Sequence, residues 1–130
     1  MASSLEGHIY GLADLGREIE RFPPDPDSVA RHRAEILIKT DTLRVVLVTM
    51  LSGGKMHEHS APGPITVQVL RGAITVTVDD EAHELAEGHL ISLAPGVEHA
   101  VDGVEDGAFL LTIAHLSRIP DPGGSDDGAG

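Results

Sequence analysis

Alternation of apolar and polar side chains dominates the middle of the chain. Between residues 73 and 78, Ile74, Val76 and Val78 alternate with Thr75 and Thr77. This is the period-2 signature of a strand with one face in a core. Further β-branched and Leu-rich runs occupy 35–40, 43–51, 65–71, 82–85 and 89–93. A short run ends at Val101, and 109–116 places Phe109, Leu111 and Ile113 on one face. Turn formers separate these runs: Asp41-Thr42, Ser52-Gly53-Gly54, Ala61-Pro62-Gly63-Pro64, Gly72, Asp79-Asp80, Glu87-Gly88 and Pro95-Gly96. The pattern predicts roughly eight short strands at even spacing, hence an all-β sandwich or barrel. No interior segment has the length and period of a long helix.

The two ends read differently. Leu12, Leu15 and Ile19 can form the apolar side of a short helix with Asp14 near its start. Pro23, Pro24 and Pro26 then impose an extended linker. The stretch from Pro120, made of Pro, Gly, Ser and Asp, reads as a disordered tail. The expected organisation is an N-terminal extension over 1–30, a barrel over 31–117 and a tail over 118–130.

Composition narrows the chemistry. A chain of 130 residues fits one domain that buries a core without staples. It has no cysteine, which excludes disulfides and thiolate ligands. Histidine and the carboxylates are left as the strong metal donors. The net charge of -12 repels phosphate backbones and anionic lipid, and the nine Lys and Arg form no basic stripe. Neither nucleic acid nor membrane is therefore expected as a partner. No apolar run approaches the roughly 18 residues of a membrane span, and no basic-then-apolar leader is visible, so a cytoplasmic location is expected. Tyr10, Phe22 and Phe109 are the whole aromatic complement, so the core must be aliphatic.

Eight histidines are present: His8, His32, His57, His59, His83, His89, His99 and His115. His57 and His59 stand two apart, and on a regular strand such residues share a face, with Glu58 turned away. Both imidazoles then reach a common ion at about 2.0–2.2 Å per nitrogen. A second element runs from Gly88 through Pro95-Gly96 to His99 as the chain re-enters the sheet.

Together these two elements resemble the cupin superfamily. Its first motif supplies His-x-His, a Glu and a closing Gly; its second reads Gly, Pro-x-Gly and His. Gly72, Gly88, Gly96 and His99 fall in register with it. The resemblance implies a jelly roll, the double-stranded β-helix barrel, from about residue 33 to 116. It also implies a divalent transition metal on His57, His59 and His99, and a homodimer. Four positions depart from the pattern. Ile65 replaces the Glu ligand, Gly53 and Gly54 lie closer to His57 than usual, Pro95 falls one place late behind Ala94, and Gly103 stands at the final Asn. Gln68 is a substitute ligand only if a bulge turns it inward, because alternation from Ile65 points it outward.

Three neutral imidazoles leave the ion its full double charge. Such a site binds metal more weakly and favours anionic or bidentate oxygen ligands. The arrangement is similar to that of the cupin thiol dioxygenases and diketone-cleaving enzymes, which use iron(II). Fe, Mn, Zn, Ni and Cu all remain open, because the ligand type does not choose among them. The functional expectation is a metal-dependent dioxygenase acting on a small anionic or chelating substrate. The alternative is a non-catalytic cupin that binds or senses a small ligand, with or without metal. Val67, Val69, Ile74 and Val76 are expected to line the barrel. Catalytic residues are left unassigned: Glu58 and Glu98 flank ligand positions, but Glu58 points outward and Glu98 belongs to a turn. His89 and His83 read as exposed, His115 as a rim residue, and His8 and His32 as residues without a role. Arg44 and Arg71 read as exposed strand charges that deter edge pairing.

Overall fold

The β-branched runs form a single antiparallel sheet rolled into a jelly-roll barrel. In the computed structural model, which describes residues 8–114 (of Glu58 and His59 the backbone alone), helix α1 spans Leu15–Arg21. Seven strands follow: β1 (His32–Lys39), β2 (Leu43–Met50), β3 (Lys55–His59), β4 (Ile65–Val78), β5 (Glu81–Ala86), β6 (Leu90–Leu93) and β7 (His99–Ala114). Their order is β1-β2-β7-β4-β5, with β3 also on β7 and β6 also on β4. The expected runs 65–71 and 73–78 are thus one strand, and so are the run ending at Val101 and the run starting at 109. The expected tail over 118–130 lies outside the described residues.

Hydrophobic patterning explains which faces meet. Val46, Val48 and Met50 of β2 pack with Ile65, Val67, Val69, Ile74 and Val76 of β4, Leu85 of β5, Leu93 of β6, and Val101 and Phe109 of β7. Each such aliphatic or aromatic side chain, fully buried, contributes about 1.5–3 kcal/mol. Inward residues of β4 are odd-numbered up to Val69 and even-numbered from Ile74. The switch falls where the β4–β7 register shifts between Val69 and Ile74. Gly72 sits inside that shift at φ +77, in the left-handed region that L side chains avoid.

Leu47 and Thr49 have the opposite parity on β2 yet are also buried. The Thr49 hydroxyl donates to the Phe22 carbonyl at 2.8 Å, so the segment after α1 lies along this outer face. Asp14 is the N-cap of α1, and its side chain accepts from Arg17 N–H at 3.2 Å. Arg21 joins Glu18 and Glu35, which ties the helix to β1, and its guanidinium pKa is raised chiefly by the Glu18 hydrogen bond. Leu12, expected on the helix's apolar side, precedes the helix and is exposed.

Two glycines separate the conformational effect of a turn from its packing. A Cβ on Gly72 would meet the carbonyl oxygens of Glu105 and Asp106, whereas one on Gly88 (φ +89) would meet nothing. Gly72→Ala should therefore cost about 2–4 kcal/mol, combining left-handed strain with overpacking. Gly88→Ala should cost only the strain of about 1–2 kcal/mol. Urea unfolding of both variants checks the difference, and equal losses would contradict this account of the β4 bend.

Candidate functional site

Two rows of paired strands supply the chemistry. The first crosses β3, β7 and β4, where His59 pairs with His99 and His99 pairs with Val78. The second crosses β2, β7, β4 and β6, where Arg44 pairs with Ile113, Ile113 with Ile65, and Ile65 with Leu93. Directly paired residues share a face of a sheet. In the second row that face is the inner one, since Ile65 and Leu93 belong to the core and Ile113 packs against it.

The loop after β3 draws the rows together. Gly96 N–H donates to the Ala61 carbonyl at 2.9 Å, fastening this loop to the turn before His99. Ala114 N–H donates to the Pro64 carbonyl at 3.0 Å, fastening it to the end of β7 beside Ile113. Gly96 lies at φ +77, so the Pro95-Gly96 turn that returns the chain to β7 uses the freedom of glycine.

His99 is 4 % exposed. Its Nδ1 lies 3.3 Å from the Val97 carbonyl, an atom that only accepts. The tautomer with its proton on Nδ1 donates to that carbonyl and would leave the lone pair on Nε2, as in a histidine ligand. His57 is placed differently. Met56 pairs with Val101 and His59 with His99, so three steps along β3 match two along β7. This bulge interrupts the alternation expected over residues 57–59. His57 is exposed and lines a surface cavity of about 420 Å³ with His32, Val29, Ala30, Lys55 and Met56.

The remaining expected positions resolve as follows. Ile65 is core, so an apolar side chain fills the place of the usual carboxylate ligand. Gln68 is exposed, and β4 keeps unbroken register with β7 from Ile65 to Val69, so no bulge turns it inward. Val67, Val69, Ile74 and Val76 are all core residues. Glu98 is exposed. His89 is exposed and its Nδ1 accepts from Ala86 N–H at 2.9 Å, while exposed His83 lies 3.6 Å from Glu81. His32 is half-buried, His8 is exposed, and His115 lies outside the described residues. Among the described residues no group of three or more His, Cys, Asp or Glu is arranged to hold a metal. Of the expected donor set, His99 is buried, His59 occupies the backbone position paired with it, and His57 is exposed at the bulge.

Arg44 was expected outside and instead takes the inner face. It lines a cavity of about 230 Å³ with Thr40, Leu43, Ser60, Ala61, Pro62 and Ile113. Parity alone does not reveal this, because β2 buries Leu47 and Thr49 at the other parity; the pairing of Arg44 with Ile113 does. Arg71 is exposed as expected.

A small antiparallel barrel with a buried histidine at one strand entry defines the class. The chain belongs to the cupin domain family, which matches residues 46–114. A conserved protein of unknown function from Streptococcus pyogenes is similar at 26% identity and TM-score 0.70, covering 82% of this chain and 89% of that one. A cupin superfamily protein from Desulfitobacterium hafniense shares the fold at 16% identity and TM-score 0.63, with 72% and 94% covered. KdgF from a Halomonas species does so at 17% identity and TM-score 0.61, with 76% and 90% covered. No curated protein matches the chain. Among the described residues no helix is long and apolar enough to cross a membrane.

Proposed function

We propose that this cupin binds a small organic anion beside one divalent transition metal held by His59 and His99, with His57 as the third imidazole. The observation that carries this reading is the burial of His99, its Nδ1 on a backbone carbonyl, at the position paired with His59. When bound, the metal would orient a chelating anion and stabilise negative charge on its oxygens, which suits a dioxygenase of the iron(II) type. The chain's own contribution is a dry aliphatic interior, set by Val67, Val69, Ile74 and Val76, that excludes water and bulky substrates.

A second reading has its own support. Ile65 in place of a carboxylate favours a barrel that binds its ligand without metal and without turnover. A homodimer belongs to either reading. β1 is one of the two ends of the sheet order and exposes Ile36 at 53%. An edge strand unpaired among the described residues, with one exposed isoleucine, can accept a second copy.

Elemental analysis of the purified chain, after incubation with Fe(II), Mn(II), Zn(II), Ni(II) or Cu(II), separates the readings. The metal reading expects one ion per chain and a fall of about a hundredfold in affinity for His59→Ala and His99→Ala. Retention of metal by both variants would remove it. Oxygen uptake with iron(II) and a panel of diketones, thiols and phenolates then assays turnover. Ile65→Glu gives an independent check. A lone carboxylate in the core should cost about 3 kcal/mol or more, and added divalent metal should restore the loss if His59 and His99 ligate beside it. Failure of metal to raise the melting temperature of that variant favours the metal-free reading. For the dimer, light scattering should report two chains for the parent and one for Ile36→Lys.

A further inference from the structure

Arg44 presents a problem that the proposed metal does not solve. Its Nε is buried without a hydrogen-bond partner. Glu35 Oε1 is the one other such atom among the described residues, and Glu35 is already paired with Arg21 through its second oxygen. A guanidinium nitrogen taken from water without a partner is a standing cost, which a protein lowers by supplying an acceptor. Among the described residues, none that lines its cavity is an acid. Its row continues through Ile113, Ile65 and Leu93, and the cavity it lines is walled by Leu43, Ala61, Pro62 and Ile113. Thr40 cannot serve, because its hydroxyl already donates to the Leu43 carbonyl and accepts from the N–H groups of Thr42 and Leu43. The cavity is about 230 Å³ and apolar but for Arg44, Thr40 and Ser60. That volume lies below the roughly 300 Å³ at which pockets for drug-sized ligands begin.

We propose that Arg44 is the specificity residue that captures the carboxylate of a small organic acid in this cavity, with the acid's short carbon chain against Ile113 and Leu43. The guanidinium fork matches a planar carboxylate with two parallel N–H donors, which a lysine cannot reproduce. A ligand carboxylate supplies the missing acceptor, and the apolar walls keep water from competing for it. The inference rests on the small-anion reading above and names its substrate class. It requires no metal, so the two can fail separately. The position also accords with the histidine row, since Ser60 on the cavity wall follows His59 directly and Ala61 is tied to Gly96.

The test uses the full chain, titrated with pyruvate, propionate, neutral propionamide and inorganic phosphate, with and without the uncharged chelator 1,10-phenanthroline. Binding is followed by calorimetry and by the Arg Nε–Hε resonances in nitrogen-15 NMR. Pyruvate or propionate should bind and move one Nε–Hε signal, the one absent from Arg44→Met, while propionamide should not bind. Affinity should fall about tenfold or more in Arg44→Met, less in Arg44→Lys, and not at all in Arg71→Met, whose side chain is exposed. The ligand-free melting temperature of Arg44→Met should equal or exceed that of the parent, which separates lost binding from lost folding. Carboxylate binding that survives chelation and still depends on Arg44 upholds the anchor even if the metal reading fails. Equal affinity in the parent and Arg44→Met, preference for phosphate, or no carboxylate binding by the parent would each overturn it.

Discussion

β4 and β7 pair along most of their length, and this one ladder ties the two halves of the barrel together. Its partners are far apart in sequence: Ile65 meets Ile113 at one end and Val78 meets His99 at the other. Such long-range pairing costs loop-closure entropy before apolar burial repays it. A straight ladder of this length would leave a flat sheet. The register shifts between Val69 and Ile74 bend it, and Gly72 and Gly107 allow the close approach, since a Cβ on either would strike backbone of the opposite strand. The bend also lets odd residues of the first half and even residues of the second half face one core.

The candidate site follows from the same ladder. One end presents Ile113 and Ile65 in line with Arg44; the other presents His99 between His59 and Val78. The 60–64 loop bridges the ends through Ala61 and Pro64, so cavity wall and histidine row share one short connection.

Much of this was legible in the amino-acid sequence because local rules carried it. Period-2 alternation marks β4 and the end of β7, Asp14 caps α1, and Gly72, Gly88 and Gly96, read from motif spacing, all adopt positive φ. Gln68 stays outside as alternation requires. What was not legible depends on register. The bulge after Met56 has no glycine or proline to announce it, so His57 and His59 read as an ordinary pair. Arg44 was hidden because β2 is apolar at both parities: Val46 and Val48 face the core, while Leu47 and Thr49 are buried on the other face. With both parities apolar, the strand does not say which one faces inward; only its pairing with Ile113 does.

Charge sharpens the link between Ile65 and Arg44. Replacing a carboxylate by Ile65 removes one negative charge from the interior, and Arg44 in the same row adds a positive one. The interior is therefore biased toward anions, within a chain whose net charge is -12. The two act over different ranges. Repulsion by exposed acids is screened beyond a Debye length of about 8 Å at physiological salt, whereas a half-buried guanidinium, its Nε shielded from water, acts at contact, where screening is weak. Polyanions that must approach the whole surface are disfavoured, and a small monoanion pays little before it reaches the cavity. Selectivity then arises from the short-range match of carboxylate to guanidinium, and raising the salt weakens the opposing surface field more than it weakens the buried contact. On the proposed metal reading the ligand's carboxylate also restores, from outside the chain, the negative charge that position 65 no longer provides.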